Sequence, residues 1–304
     1  MANEIEQSGV VVVDKHEGVT SHDIVFKMRK LFGTRRVGHT GTLDPMATGV
    51  LPILIGRSAK ASEYLSAEDK GYTAEITLGI TTDTEDISGK ILTKCDTLPD
   101  KSKFFEVCRE FVGDIFQVPP MYSALKVDGK KLVDLAREGI TIEREARMIH
   151  ISSIIPEVID EKRGIYRLIV ECSKGTYIRT LCADIGARLG CGATMSALRR
   201  TKSGNFTLDN SHTIEQIEKM SEAERASLII PTEELFYDLE AVKLSDFYAR
   251  LCRSGCEIYQ RKTGTNLPVG TRVRICDKNG FFALGEVREY DEGTAIKSIK
   301  LFVL

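Results

Sequence analysis

No apolar run in these 304 residues approaches the length of a membrane-spanning helix, so that class of protein is set aside. The opening Met1-Ala2-Asn3-Glu4-Ile5-Glu6-Gln7 is polar and acidic and lacks the basic start and apolar centre of a secretory signal, and a cytoplasmic protein is expected. No histidine stands near Cys252, Cys256 and Cys276, and these cysteines do not form the two close pairs that a structural zinc site commonly needs. Neither a metal nor another cofactor is expected. Most of the eight cysteines, such as Cys172 and Cys182, sit in apolar surroundings and read as small buried hydrophobes in a reducing compartment. No internal repeat is present. Charge of one sign is not in excess either, since 42 Lys and Arg face 44 Asp and Glu for a formal net charge of -2.

That balance argues against a nucleic-acid partner only until its distribution is read. Lys27, Arg29, Lys30, Arg35 and Arg36 form a basic run with no acid among them. Residues 161–204 carry nine basic against three acidic side chains, and residues 205–240 reverse this to two against nine. A local basic surface attracts phosphates even on a slightly acidic chain.

Val10-Val11-Val12-Val13 predicts a short buried strand, with Asp14 to Gly18 leaving it as a loop. Thr20 or Ser21 can cap a helix through Ile24, Val25, Met28 and Leu31 that ends near Gly33. Tyr72 to Leu78 and Ile165 to Cys172 read as strands, Thr81 to Gly89 as a polar, turn-rich stretch, and Phe104 to Phe111 as a short helix. A helix from about Thr176 to Leu189 buries Ile178, Leu181, Cys182, Ile185 and Leu189, with Arg179 off that stripe. Strands and isolated helices without a steady βαβ rhythm favour α+β. The acidic stretch through Glu215, Glu222, Glu224, Glu233 and Glu234 reads as solvated helix and linker. Beyond it, Val242 to Leu251 predicts a small helix. Strands at Val273–Cys276, Phe281–Val287 and Ala295–Phe302 follow, with a hairpin turn at Asp277-Lys278-Asn279-Gly280. A boundary near Leu235 to Leu239 is expected.

Chemistry concentrates in Gly38-His39-Thr40-Gly41-Thr42-Leu43-Asp44-Pro45-Met46-Ala47-Thr48-Gly49, which frames one carboxylate between glycines that permit tight turns and close backbone approach. Taken singly, Lys15 reads as a surface lysine, Tyr72 as a core-edge aromatic and Arg179 as a surface or structural arginine. Taken together, the chain resembles the bacterial tRNA pseudouridine synthases that isomerise uridine 55 in the T-loop. Gly38 to Pro52 matches the segment around that family's catalytic aspartate, and Val13-Asp14-Lys15-His16-Glu17-Gly18-Val19-Thr20-Ser21 matches its lysine-containing motif. Lys70-Gly71-Tyr72, Gln117 to Gly129 and Ser173-Lys174-Gly175-Thr176-Tyr177-Ile178-Arg179 complete the likeness, which spans residues 9 to 235. His16 departs from it, because the family usually has proline there.

The resemblance implies a mixed, largely antiparallel sheet with flanking helices in a catalytic domain of residues 1–235. An RNA-gripping insertion at about 121–147 and a small C-terminal β-barrel of the PUA type over 236–304 are implied with it. It implies Asp44, Tyr72 and Arg179 as the catalytic set, and Lys15, His39, Lys126 and Lys174 as RNA contacts. The implied partner is the T arm of tRNA, with no membrane and no obligatory protein partner. Asp44 suits a nucleophile or a stabiliser of a cationic ribose. Its addition to C1′, its addition to C6 and a glycal route are all compatible with the residues. Tyr72 is implied as a stacking ring for the uracil, with a hydroxyl available for the C5 proton, and His39 as the ring that occupies the space of the flipped nucleotide. A sugar-processing enzyme would employ paired carboxylates, whereas one well-framed carboxylate stands here. A ribosomal-RNA pseudouridine synthase and a non-catalytic RNA-binding protein are the other readings.

Overall fold

The four valines form one strand because the chain covers both of its faces. In the computed structural model, which describes residues 8–62, 64, 69–123, 125–127 and 129–303, Val11 and Val13 pack on Ile24, Val25 and Met28. Val10 and Val12 point the other way, onto Val50, Leu54, Phe236, Leu284 and Phe302. Covered on both sides, such a strand loses the alternation of a half-solvated one.

The elements in chain order are β1 (Gly9–Lys15), α1 (Ser21–Leu31), β2 (Val37–His39), β3 (Thr48–Ile55), β4 (Lys70–Leu78), β5 (Ile80–Thr82), β6 (Ile91–Lys94), α2 (Lys101–Glu110) and β7 (Gly113–Gln117). Between β7 and β10 lie β8 (Lys126–Val127), β9 (Lys130–Lys131) and α3 (Leu132–Arg137), and the chain returns through β10 (Arg147–Asp160), β11 (Ile165–Cys172), α4 (Ile178–Leu189) and β12 (Ala193–Ser203). Then come β13 (Phe206–Thr207), β14 (His212–Thr213), α5 (Ile214–Lys219) and α6 (Glu222–Ser227). The last part comprises β15 (Glu240–Lys243), α7 (Asp246–Arg253), β16 (Ile258–Tyr259), α8 (Gln260–Thr263), β17 (Arg272–Asp277), β18 (Gly280–Tyr290) and β19 (Gly293–Leu301).

The main sheet has ten strands in the order β14-β1-β3-β12-β4-β11-β10-β7, with β2 on β3 and β13 on β12. The β1–β14 and β12–β3 pairings are parallel and the others antiparallel, so the sheet is mixed, as expected. One face carries α2 and α4 over Tyr166, Leu168 and Val170, where Cys108, Cys172, Cys182 and Cys191 fill gaps as buried thiols. Burial lifts the Cys108 and Cys172 thiols to about 12. Thr20 begins α1 with a capping box, its hydroxyl accepting from the Asp23 amide at 3.1 Å while Asp23 accepts from the Thr20 amide at 2.8 Å. Among the described residues no helix is long and apolar enough to cross a membrane.

Three expectations need correction. The C-terminal sheet, ordered β15-β17-β18-β19-β16, is curled but is a half-barrel and does not close. Its edge strands have only four and two residues, and α7 inserts Ala249 and Cys252 into the same core instead. The helix expected over Val242 to Leu251 is split, since Val242 belongs to β15 and α7 starts at Asp246. The acidic stretch is solvated helix at Glu215, Glu222 and Glu224, as expected, but its apolar residues dock onto the fold instead of forming a linker. Ile214 and Ile217 are buried under α1, and Leu235 and Phe236 pack between the two sheets.

Candidate active site

Asp44 sits on the loop between β2 and β3, and that loop is fastened on both sides of it. Leu43 is buried, and its amide and carbonyl both bond the Ser21 hydroxyl, at 2.9 and 3.1 Å. Pro45 offers its carbonyl to the Gly18 amide at 2.9 Å and to the Lys15 ammonium at 3.3 Å. Farther back, the Gly41 carbonyl accepts from Arg200 at 3.1 Å. Gly49 closes the loop with φ at +101°, and a Cβ there would stand 2.1 Å from the Arg200 carbonyl oxygen. Only glycine fits at Gly49.

Arg179 reaches this loop from the first turn of α4. Its Nη2 lies 2.8 Å from Asp44 Oδ2, and its Nη1 lies 3.8 Å from Asp86 Oδ2. Arg179 and Asp86 are buried, whereas the Asp44 side chain keeps 31% of its surface open. One guanidinium thus joins a carboxylate at the mouth of the site to a second one behind it. Burial lifts the Asp44 carboxyl above its ordinary range; Arg179 opposes this, Asp86 adds to it and Lys15 counters it. Asp86 in turn accepts from the Ser88 amide at 3.0 Å, from the Thr84 hydroxyl at 2.9 Å and from the Ser88 hydroxyl. Sequence reasoning missed Asp86 within the polar turn 81–89. Its signal was the Thr84-x-Asp86-x-Ser88 spacing, in which short hydroxyl side chains flank a carboxylate that can accept from both.

Tyr72 enters on β4, nearly buried, with Arg200 of β12 directly across from it. Burial raises its phenol, and the Arg200 guanidinium pulls it back. Tyr177 precedes α4 and is held by Gln117, which donates to its carbonyl at 3.1 Å and accepts from its amide at 2.8 Å. An open groove of about 510 Å³ runs past Met46 and Thr48, lined on the far side by Arg167, Ile169 and Leu198.

The remaining sequence-predicted residues separate. Lys15 is a correction: it was expected on phosphate, but it is fully buried and its ammonium donates to the carbonyls of His16, Val19 and Pro45 at 3.0, 2.8 and 3.3 Å. Those three bonds use its three donors, and burial lowers its pKa to about 8. Lys15 therefore shapes the Asp44 loop. His39 ends β2 half-buried, with a buried Nδ1 that has no protein partner. Burial, then Arg200 and His22, hold its ring below the ordinary histidine value, which favours the neutral form. Lys174 is exposed in the turn before α4. The Lys126 side chain, like that of Lys131, lies outside the described residues.

Behind Arg179 lies a second acidic group. Glu85, with φ at +64°, accepts from the Thr180 hydroxyl at 2.5 Å, and burial raises its carboxyl. One turn along α4, burial and then Glu85 raise Asp184 to about 6. A folded-state value above the unfolded one means the native state holds the proton more tightly, so stability falls as pH rises from about 4 to about 6. Asp184→Asn is expected to raise the melting midpoint at pH 7.5 by about 1–2 °C. Melts at pH 4 test the sign, because the gain should vanish there.

The site therefore pairs a part-open aspartate with a buried arginine, near a strand tyrosine, on a mixed sheet. Residues 29–178 match the model of the TruB family pseudouridylate synthase N-terminal domain, and residues 179–237 match the tRNA pseudouridylate synthase B C-terminal domain. The tRNA pseudouridine synthase B of Clostridium tetani is 41% identical over 301 residues, covering 97% of this chain and 100% of that protein. That of Alkaliphilus oremlandii is 41% identical over 300 residues, covering 98% of each. Among solved structures, a chain of a Cbf5-Nop10-Gar1 complex superposes with a TM-score of 0.74 at 27% identity, covering 98% of this chain and 85% of that one. The chain belongs to the TruB family and is an isomerase, a pseudouridine synthase.

Proposed function

We propose that this enzyme converts uridine 55 in the T-loop of tRNA to pseudouridine. The observation that carries the reading is the 2.8 Å Asp44–Arg179 pair, with the Asp44 side chain 31% open and the guanidinium behind it buried. The relatives named as tRNA pseudouridine synthase B supply the substrate class.

The reaction breaks N1–C1′, turns the uracil and joins C5 to C1′, all within one nucleotide. Addition to C1′, addition to C6 and abstraction at C2′ each call for an ionised carboxylate, and Arg179 favours that form of Asp44 against the cost of burial. The Tyr72 ring stacks on the uracil during its turn, and the hydroxyl faces the C5 proton. Flipping the base out of the folded loop costs a few kcal/mol, at the low end where the base is loosely held. The neutral His39 ring fills the space left behind. Lys174, Lys126 in the insertion and the basic run Lys27 to Arg36 contact phosphates, and the C-terminal half-barrel extends the contact along the RNA. Asp86 does not make this a two-carboxylate sugar hydrolase, because it is buried behind Arg179 with its donors already in place.

Mapping pseudouridine in an unmodified tRNA transcript after incubation with the purified protein tests the assignment. One modified position, at 55, is expected, together with none in a transcript carrying cytidine there. Conversion confined to a ribosomal RNA fragment would overturn it.

A further inference from the structure

Arg200 is the largest fully buried side chain among the described residues, and no carboxylate lies within salt-bridge distance of it there. Burying a cation without a counter-ion is expensive, so its donors must be well used. Nε donates to the Val50 carbonyl at 2.7 Å and Nη2 to the Gly41 carbonyl at 3.1 Å. Strand register sets Arg200 between Gly49 on one side and Tyr72 on the other. The close backbone approach at Gly49, where a Cβ would meet the Arg200 main chain, locks this position to the strand that follows the Asp44 loop. The same register puts Tyr72 on the sheet face that carries this guanidinium, which holds the Tyr72 phenol down against its burial.

A guanidinium only donates. A phenol oxygen that meets this guanidinium can only accept from it, which leaves the Tyr72 O–H to point elsewhere. Val50 and Gly41 hold the opposite edge of the fork, so the direction of that donor is fixed by the same backbone that carries Asp44. Lysine, a point charge on a flexible stem, cannot hold the Val50 and Gly41 carbonyls and face Tyr72 at once. We infer that Arg200 is a positioning residue of the reaction, aiming the Tyr72 hydroxyl at the bound uracil while seating the Gly41 end of the Asp44 loop. This rests on the proposed reading of Tyr72 and adds to it a group that never touches RNA.

The test is a double-mutant cycle on single-turnover conversion at saturating tRNA, with Arg200→Lys and Arg200→Met each made in wild type and in Tyr72→Phe. In wild type, each is expected to slow conversion about 10- to 100-fold while tRNA affinity changes less than about three-fold. In Tyr72→Phe the further loss should shrink to less than about three-fold, because the hydroxyl being aimed is gone. Equal fold-losses in both backgrounds, or unchanged conversion in the single variants, would overturn the inference. Should neither Arg200 variant melt cooperatively, exchange of the Arg200 guanidinium protons read by NMR in wild type and Tyr72→Phe decides it. About ten-fold faster exchange at Nη in Tyr72→Phe is expected, with Nε unchanged, and equal exchange at Nη overturns it. Wild-type conversion of uridine 55 is scored separately, so a failure of the substrate assignment is told apart from a failure of Arg200.

Discussion

Asp44→Asn is expected to fold normally, bind tRNA within about three-fold of wild type, and lose turnover by roughly 10⁴-fold or more. Asparagine keeps the shape of the side chain and one oxygen for Arg179, but it removes the charge and the nucleophile together. Arg179 would still face Asp86 at 3.8 Å, so the buried guanidinium is not abandoned when Asp44 is neutralised. The loop should also hold, because Ser21, Lys15, Gly18 and Arg200 fasten its backbone on either side of the altered residue. Circular dichroism melts and a filter-binding isotherm separate this outcome from a folding or binding defect. Turnover within ten-fold of wild type, about 1.4 kcal/mol, would mean that the carboxylate does no chemistry.

Arg179→Lys is the second large effect. One planar fork now meets two carboxylates, Asp44 at 2.8 Å and Asp86 at 3.8 Å, on separate nitrogens. A lysine ammonium retains the charge but cannot satisfy both in those directions. Asp44 then loses its orientation and part of the field that keeps it ionised, while its burial is unchanged. A loss of about 10²–10³ in single-turnover rate is expected, of the size seen when one preorganised donor is removed from a charge-stabilising site. A normal melt with undiminished turnover would reject this role.

How much of this was legible in the sequence varies by residue. The Asp44 loop announced itself through its glycines and the Asp-Pro step, since close approach and tight turns restrict residue choice locally. Arg179 was harder. The apolar stripe of α4 placed it outside the core, and it is buried nonetheless, because loop 40–47 and the turn at Asp86 fold over that first turn of the helix. Asp86 was legible as a held carboxylate in its hydroxyl-flanked turn, but its place behind Arg179 was not, since that depends on a tertiary bridge to Met195 of β12. Lys15 misled for the complementary reason. A lysine in a polar loop reads as solvent-facing, and only the fold curls His16 and Val19 back and brings Pro45 in to supply the three carbonyls it bonds. Closure of the C-terminal sheet depends on edge-strand length and on where α7 packs, neither of which alternation of apolar residues encodes.

The central claim is that Asp44 acts as a carboxylate held ionised by Arg179 against its burial. The pH dependence of single-turnover conversion at saturating tRNA, over about pH 5 to 9 and in wild type and Arg179→Met, tests it most directly. Asp44 must lose its proton to work, and removing the facing cation leaves desolvation and Asp86 unopposed except by Lys15. The acid limb is therefore expected to move to higher pH in Arg179→Met, with a lower plateau above it. An acid limb at the same pH in both proteins would contradict the claim.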